Sequence, residues 1–131
     1  RHTRFRNVTG VQTCALPIWR QMLKETHGVV IVSPEYNHGY PGELKMFLDN
    51  AYKEYEGKPV AICGVSNGPI GGARMVEQLK LVLSAFQMTI INAAVYFANV
   101  NELFDTSGII QNREYWEKRV NGMLDELIKY A

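Results

Sequence analysis

Three short runs of apolar, largely β-branched residues set the frame: VVIV at 29–32, VAICGV at 60–65 and IINAAVYF at 90–97. None alternates polar with apolar, which is the pattern of strands buried on both faces of a parallel sheet. Helical spacing fills the intervals. Leu44, Phe47, Leu48 and Ala51 follow Pro41, a good first helical residue, and Gly57 closes that unit. Val76, Leu79, Leu83 and Phe86 mark a helix over 73–86, and Trp116, Val120, Met123 and Leu127 mark a final amphipathic helix ending at Ile128. Residues 19–26 read as the end of an earlier helix stopped at Gly28. Strand followed by helix, three times over, predicts an α/β fold with a parallel sheet. Ligands of such sheets bind beyond the carboxyl ends of the strands, so the loops at 33–40 and 66–72 are the candidate functional segments.

A chain of 131 residues supports one domain, and 47% hydrophobic content excludes disorder. No apolar run is long enough to span a membrane. With 14 Lys+Arg against 13 Asp+Glu there is no electrostatic footprint for nucleic acid. A cytoplasmic globular domain is the expectation. These totals hide an anomaly at the N-terminus. Residues 1–18 carry Arg1, Arg4, Arg6, His2 and Cys14, no acidic residue, and no helical or strand period. Their apolar patch at 14–18 is too short for a secretory signal, and Pro17 interrupts it. The segment resembles a translated sequencing-library adapter, RHTR and VTGVQTCALPI flanking three variable residues. The expectation is a non-native segment at 1–18 and a domain over 19–131. Without that segment, 11 basic residues face 13 acidic ones and only Cys63 remains. One cysteine with His27 and His38 at unrelated spacing makes no recognised metal site.

The segment SPEYNHGYPGELK at 33–45 resembles the signature of the NADPH-dependent FMN reductase family, the flavodoxin-like quinone, azo-dye and chromate reductases. GKPVAICGVSNGPIGGARMVEQLKLVL at 57–83 resembles the same family's second flavin-contacting segment. The resemblance implies a flavodoxin-like three-layer αβα fold, FMN as cofactor and NADPH or NADH as reductant. It implies an electron acceptor such as a quinone, azo compound or metal oxyanion. It also implies a homodimer built on the helix at about 41–53, where Phe47, Tyr52 and Tyr55 supply large side chains, although core packing explains Phe47 equally well. The family's phosphate-binding loop, rich in Ser and Arg, has no match in this chain. By this resemblance 19–131 is the C-terminal portion of the domain, with the first two strands missing. Residues 29–32 would then form an unpaired apolar edge prone to aggregation.

By resemblance, Glu35, Tyr36, Asn37 and His38 line the isoalloxazine. Pro34 holds the chain extended, which leaves the N–H groups of 35–38 to face the negative charge gathering at the flavin N1 edge on reduction. Tyr36 offers an aromatic surface and Asn37 a side chain able to hold the turn. His38 either tunes the ring, meets substrate, or is an ordinary exposed histidine. The bland alternative for the whole loop is a turn into the next helix. In the second loop, Ser66 matches the family's flavin-contacting serine, Asn67 lies beside it, and Gly68, Gly71 and Gly72 permit close backbone approach. Their spacing is neither a P-loop nor GxGxxG. Arg74 either meets an NADPH phosphate or is a salt-bridged surface arginine. Neither Glu35 as a base nor Cys63 as a redox thiol is needed, because the flavin carries the chemistry. Cys63, mid-strand, reads as buried and inert, and His27 as structural. The implied function is an FMN-dependent NAD(P)H oxidoreductase. The other readings are an FMN-binding electron carrier without a nicotinamide site, and an inactive fragment.

Overall fold

The three apolar runs form three parallel strands, β1 (Val29–Pro34), β2 (Pro59–Val65) and β3 (Thr89–Phe97), hydrogen-bonded in the order β1-β2-β3. The computed structural model describes residues 11–131, with side chains from Pro17 onward. Four α-helices accompany the strands: α1 (Val11–Glu25), α2 (Gly42–Leu48), α3 (Ala73–Ala85) and α4 (Arg113–Ile128). A strand order that runs monotonically with the chain sends both right-handed crossovers over the same face of the sheet. Leu23 of α1, Leu48 of α2 and Met75, Val76, Leu79 and Leu83 of α3 accordingly share one core with Ile31, Val60 and Ile62. On the opposite face Met123 and Leu127 of α4 pack on Ala61, Cys63, Ile91 and Val95. The result is the three-layer αβα arrangement that the family resemblance implies.

Several local features differ from expectation. β2 is buried on both faces as its composition predicts, but β1 alternates, with Val30 41% and Val32 63% exposed. The cause lies in coverage. Val30 and Val32 register with Ala61 and Cys63, on the face that α4 covers over β2 and β3 but not over β1. Among the described residues the outer edge of β1 has no strand partner. Helix α1 begins at Val11 and carries Pro17 in its interior, so helical structure reaches into 1–18. The remainder of that segment, residues 1–10, lies outside the described residues.

Helix α2 is shorter than the 41–53 expected. Asn50 ends it, its Nδ2 donating to the carbonyls of Met46 (2.7 Å) and Phe47 (3.2 Å). A 3-10 turn at Lys53–Tyr55 follows and sinks Tyr55 fully into the core. Its hydroxyl donates to the Leu48 carbonyl at 3.1 Å and accepts from Trp19 Nε1 at 3.0 Å, and burial pushes the phenol up to about 12. Tyr55 is therefore a core residue and not an interface side chain. Phe47 stacks at a tilt on Trp19, 4.8 Å between centroids, while Tyr52 is exposed. In β3 the pairing skips from Val60↔Ile90 to Ile62↔Ala94, a bulge. Glu126 of α4 accepts the N–H groups that the bulge frees, Asn92 at 2.9 Å and Ala93 at 3.3 Å. Among the described residues no helix is long and apolar enough to cross a membrane.

Candidate functional site

Parallel register brings the strand ends level, Pro34 beside Val65 and Val65 beside Phe97. The ladder runs one step further: the N–H of Glu35 donates to the Val65 carbonyl and that of Ser66 to the Phe97 carbonyl, both at 3.0 Å. Loops 35–40 and 66–72 therefore start side by side at the carboxyl edge, the position that the topology predicts for a ligand.

The first loop is a tight hairpin turn. The Tyr36 N–H donates to the Gly39 carbonyl at 2.9 Å, and the Gly39 N–H donates back to the Tyr36 carbonyl at 3.0 Å. Between them Asn37 and His38 both take left-handed backbone, φ 48° and 70°. Pro34 thus does not leave four N–H groups free, since those of Glu35 and Tyr36 are spent inside the chain. No backbone hydrogen bond among the described residues uses those of Asn37 or His38. Asn37 serves the turn by tolerating left-handed backbone, not by a side-chain bond. The Tyr36 ring and the His38 imidazole are exposed at the edge.

Glu35 turns the opposite way and crosses to α3. Its side chain is only 6% exposed; Oε1 accepts from Arg74 Nε at 2.9 Å and lies 2.8 Å from Nη2, and Oε2 accepts the Met75 N–H at 3.3 Å. The residue at the N-cap of α3 is Gly72, which has no side chain to satisfy the helix's first N–H groups. Glu35 supplies that acceptor from the neighbouring loop, and its charge suits the positive end of the helix. Of the two readings open for Arg74, the structure displays the salt-bridged arginine.

The second loop is held by its backbone. The Ser66 hydroxyl donates to the Gly68 carbonyl at 3.2 Å, and that carbonyl also accepts from the Asn99 N–H at 3.2 Å. The Val100 N–H donates to the Ser66 carbonyl at 3.1 Å, so the segment after β3 closes over this loop. Gly71 and Gly72 take left-handed backbone, φ 58° and 81°. A Cβ on Gly71 would lie 2.7 Å from the Tyr96 carbonyl carbon, and one on Gly72 would lie 3.0 Å from the Val65 nitrogen. A Cβ on Gly64, inside β2, would run into the Gly71 carbonyl oxygen. These three glycines are demanded by the packing of the loop on the strand ends. Gly68 is not: the nearest atom to its Cβ would be Ser66 Oγ, at 3.7 Å. Asn67 is exposed beside it.

Sequence reasoning missed Gly64, Asn99 and the Glu35–Arg74 pair. A glycine within a strand run is itself a signal of close backbone approach, so Gly64 was recoverable. The ion pair, 39 residues apart, had no local signal. Cys63 is buried, its thiol pKa is pushed up by burial, and its sulfur lies 3.6 Å from that of Met123, all in keeping with an inert residue. Among the described residues no three His, Cys, Asp or Glu side chains converge on a metal site.

A family model described as NADPH-dependent FMN reductase matches residues 8–102. The chain belongs to the NADPH-dependent FMN reductase family. It is 38% identical over 73 residues to an NAD(P)H-dependent FMN reductase of Saccharomyces cerevisiae, covering 56% of this chain and 37% of the relative. It is 34% identical over 97 residues to a quinone reductase of Escherichia coli, covering 71% of this chain and 47% of the relative. The chain thus spans between a third and a half of the length of these relatives. The solved structure of the flavoenzyme NAD(P)H:(acceptor) oxidoreductase FerB from Paracoccus denitrificans superimposes with a TM-score of 0.76 at 22% identity, covering 95% of this chain and 75% of that one. That likeness establishes the flavodoxin-like fold of this FMN reductase family member. FMN and NAD(P)H are the cofactors of the family.

Proposed function

We propose that this chain provides the isoalloxazine-binding edge of an FMN-dependent NAD(P)H oxidoreductase whose acceptor is a quinone. The observation that carries the reading is the carboxyl edge itself, where two loops leave adjacent strands in register and Glu35 of the first is tied to Arg74 and Met75 at the start of α3, directly after the second. The residues there suit a flat ring with a polar rim. Tyr36 offers an exposed aromatic face, Asn37 and His38 offer N–H donors unused by the backbone, and Ser66 offers a hydroxyl. A Cβ on Gly68 would make only ordinary contact, with Ser66 Oγ at 3.7 Å. FMN, when bound, would supply the two-electron chemistry between NAD(P)H and the acceptor. The chain's own residues bind, orient and stabilise. The unbonded N–H groups of Asn37 and His38 would offer hydrogen bonds to the negative charge that a flavin gains on reduction, and Pro34 and the Gly71–Gly72 pair hold both loops in position.

Arg74 acts in this reading as the partner of Glu35, with a half-exposed side chain that is still accessible to a nicotinamide phosphate. Azo compounds and metal oxyanions are further acceptors in the same reading. The quinone is favoured because the Escherichia coli relative and one from Burkholderia bear quinone reductase names. A homodimer is proposed on α2 and the segment just after it, where Met46, Phe47 and Tyr52 expose large apolar surface. The cytoplasm, where NAD(P)H is abundant, is the setting proposed. The test is anaerobic addition of NAD(P)H to the FMN-loaded protein. Loss of the oxidised flavin absorbance, and its return with a quinone, are expected. Bound FMN that NAD(P)H does not bleach would leave an electron carrier instead.

A further inference from the structure

The hairpin turn carries a residue that its own backbone disfavours. Two-residue turns with both central residues left-handed favour Asn followed by Gly. Asn37 follows the rule, but the second position, φ 70°, is His38. A Cβ there raises the energy of the loop relative to glycine. Nothing inside the chain offsets this, since the imidazole is exposed and makes no hydrogen bond or ion pair among the described residues.

The imidazole stands at the rim of an open groove of about 450 Å³ that it lines with Ala73, Arg74, Glu77 and Gln78. Both charges in that groove are already matched within the chain, Arg74 by Glu35 at 2.8 Å and Glu77 by Lys80 at 2.7 Å. Beside the guanidinium N–H groups that Glu35 does not engage, the groove offers a ligand hydrogen bonding from the imidazole and the Gln78 carboxamide. Either histidine tautomer, and the imidazolium, presents an N–H. These donors suit a molecule bearing carbonyl oxygens, and the imidazole and carboxamide can serve one that carries no charge.

We propose that His38 is a specificity-determining residue whose imidazole N–H donates to a carbonyl oxygen of a quinone-class acceptor seated between the 36–39 turn and α3. This rests on the functional reading above. A histidine at a position suited to glycine is then explained by its contact with the acceptor.

The experiment compares His38→Gly and His38→Gln with the wild type, all FMN-loaded; both variants keep the backbone N–H at 38. The glycine variant has the turn sequence Asn-Gly, so its thermal midpoint is expected to hold or rise. The ratio of KM for 1,4-naphthoquinone to KM for ferricyanide, which has no carbonyl, is expected to rise about fivefold, the loss of one neutral hydrogen bond. Glutamine, a donor of similar reach, should restore part of it. In oxidised wild-type protein without NAD(P)H, titration with 1,4-naphthoquinone should shift the His38 imidazole resonances. An unchanged KM ratio with unmoved His38 resonances overturns the proposal, and so does a lowered midpoint in the glycine variant, which would make His38 a structural residue. Failure of NAD(P)H to bleach the flavin would instead sink the functional reading, and the quinone titration, which needs no turnover, separates the two.

Discussion

Loops 35–40 and 66–72 leave adjacent strands at one level, yet side chains fix the first and the absence of side chains fixes the second. In the first, the carboxylate of Glu35 reaches across to Arg74 and the Met75 N–H, while the turn beyond it closes on itself. In the second, Gly71 and Gly72 lie against the backbone of Tyr96 and Val65 with no room for a Cβ. The two kinds of restraint fail differently. A steric restraint cannot be relieved by a small motion, because its neighbours are backbone atoms of a sheet. A polar crosslink can be broken with the sheet left intact.

Gly71→Ala breaks the second loop and carries the largest expected effect. It forces a Cβ to within 2.7 Å of the Tyr96 carbonyl carbon and places alanine at φ 58°. The left-handed backbone costs about 1–2 kcal/mol and the overpacking about as much again, so a loss of about 3 kcal/mol is expected in urea unfolding. A loss under about 1 kcal/mol would mean that the loop can lift off β3, and the contrast between the loops would collapse.

Glu35→Ala breaks the first loop. It removes the only side-chain acceptor at the α3 N-terminus among the described residues and leaves the Met75 N–H without it. Loss of a cap costs about 1 kcal/mol. Arg74 is half exposed, so its ion pair adds only about half a kcal/mol after solvent screening. A total of about 1–2 kcal/mol is expected, with Glu35→Gln falling between it and the wild type because an amide oxygen still accepts. If the alanine variant proves as damaging as Gly71→Ala, then the crosslink supports the sheet and not just the loop.

The same contrast explains what the sequence made legible. The strands and α3 and α4 were readable because burial on a sheet imposes a period on apolar residues, and β2 obeys it throughout. β1 misled, since a β-branched run does not record which of its faces a neighbour covers; Val32 is exposed because α4 lies over β2 and β3. Tyr55 misled for a related reason. Helical spacing continues past Leu48 in the sequence, but Asn50 caps the last carbonyls and the chain turns Tyr55 inward. Within the site, residues at the loops' own positions were legible from turn chemistry and glycine content. The Glu35 crosslink was not, because its partners lie on a different strand-to-helix unit and neither has a local pattern that names the other.

Gly68 sharpens the comparison from the other side, with the smallest expected effect on stability. Gly64, Gly71 and Gly72 all have an internal reason to lack a side chain, so their presence says little about a ligand. Gly68 has none: its φ is not left-handed, and a Cβ would make only ordinary contact with Ser66 Oγ. Gly68→Ala should therefore change unfolding stability by less than about 0.5 kcal/mol, as a substitution outside the packed contacts does. If the glycine is kept so that a flavin ring can approach the backbone, the same variant should bind FMN about tenfold more weakly in a fluorescence titration, the loss expected when a methyl group intrudes on a close contact. Unchanged FMN affinity would mean that the second loop meets the flavin, if at all, through Ser66 and Asn67, and that its glycines serve only the packing of the loop on the sheet.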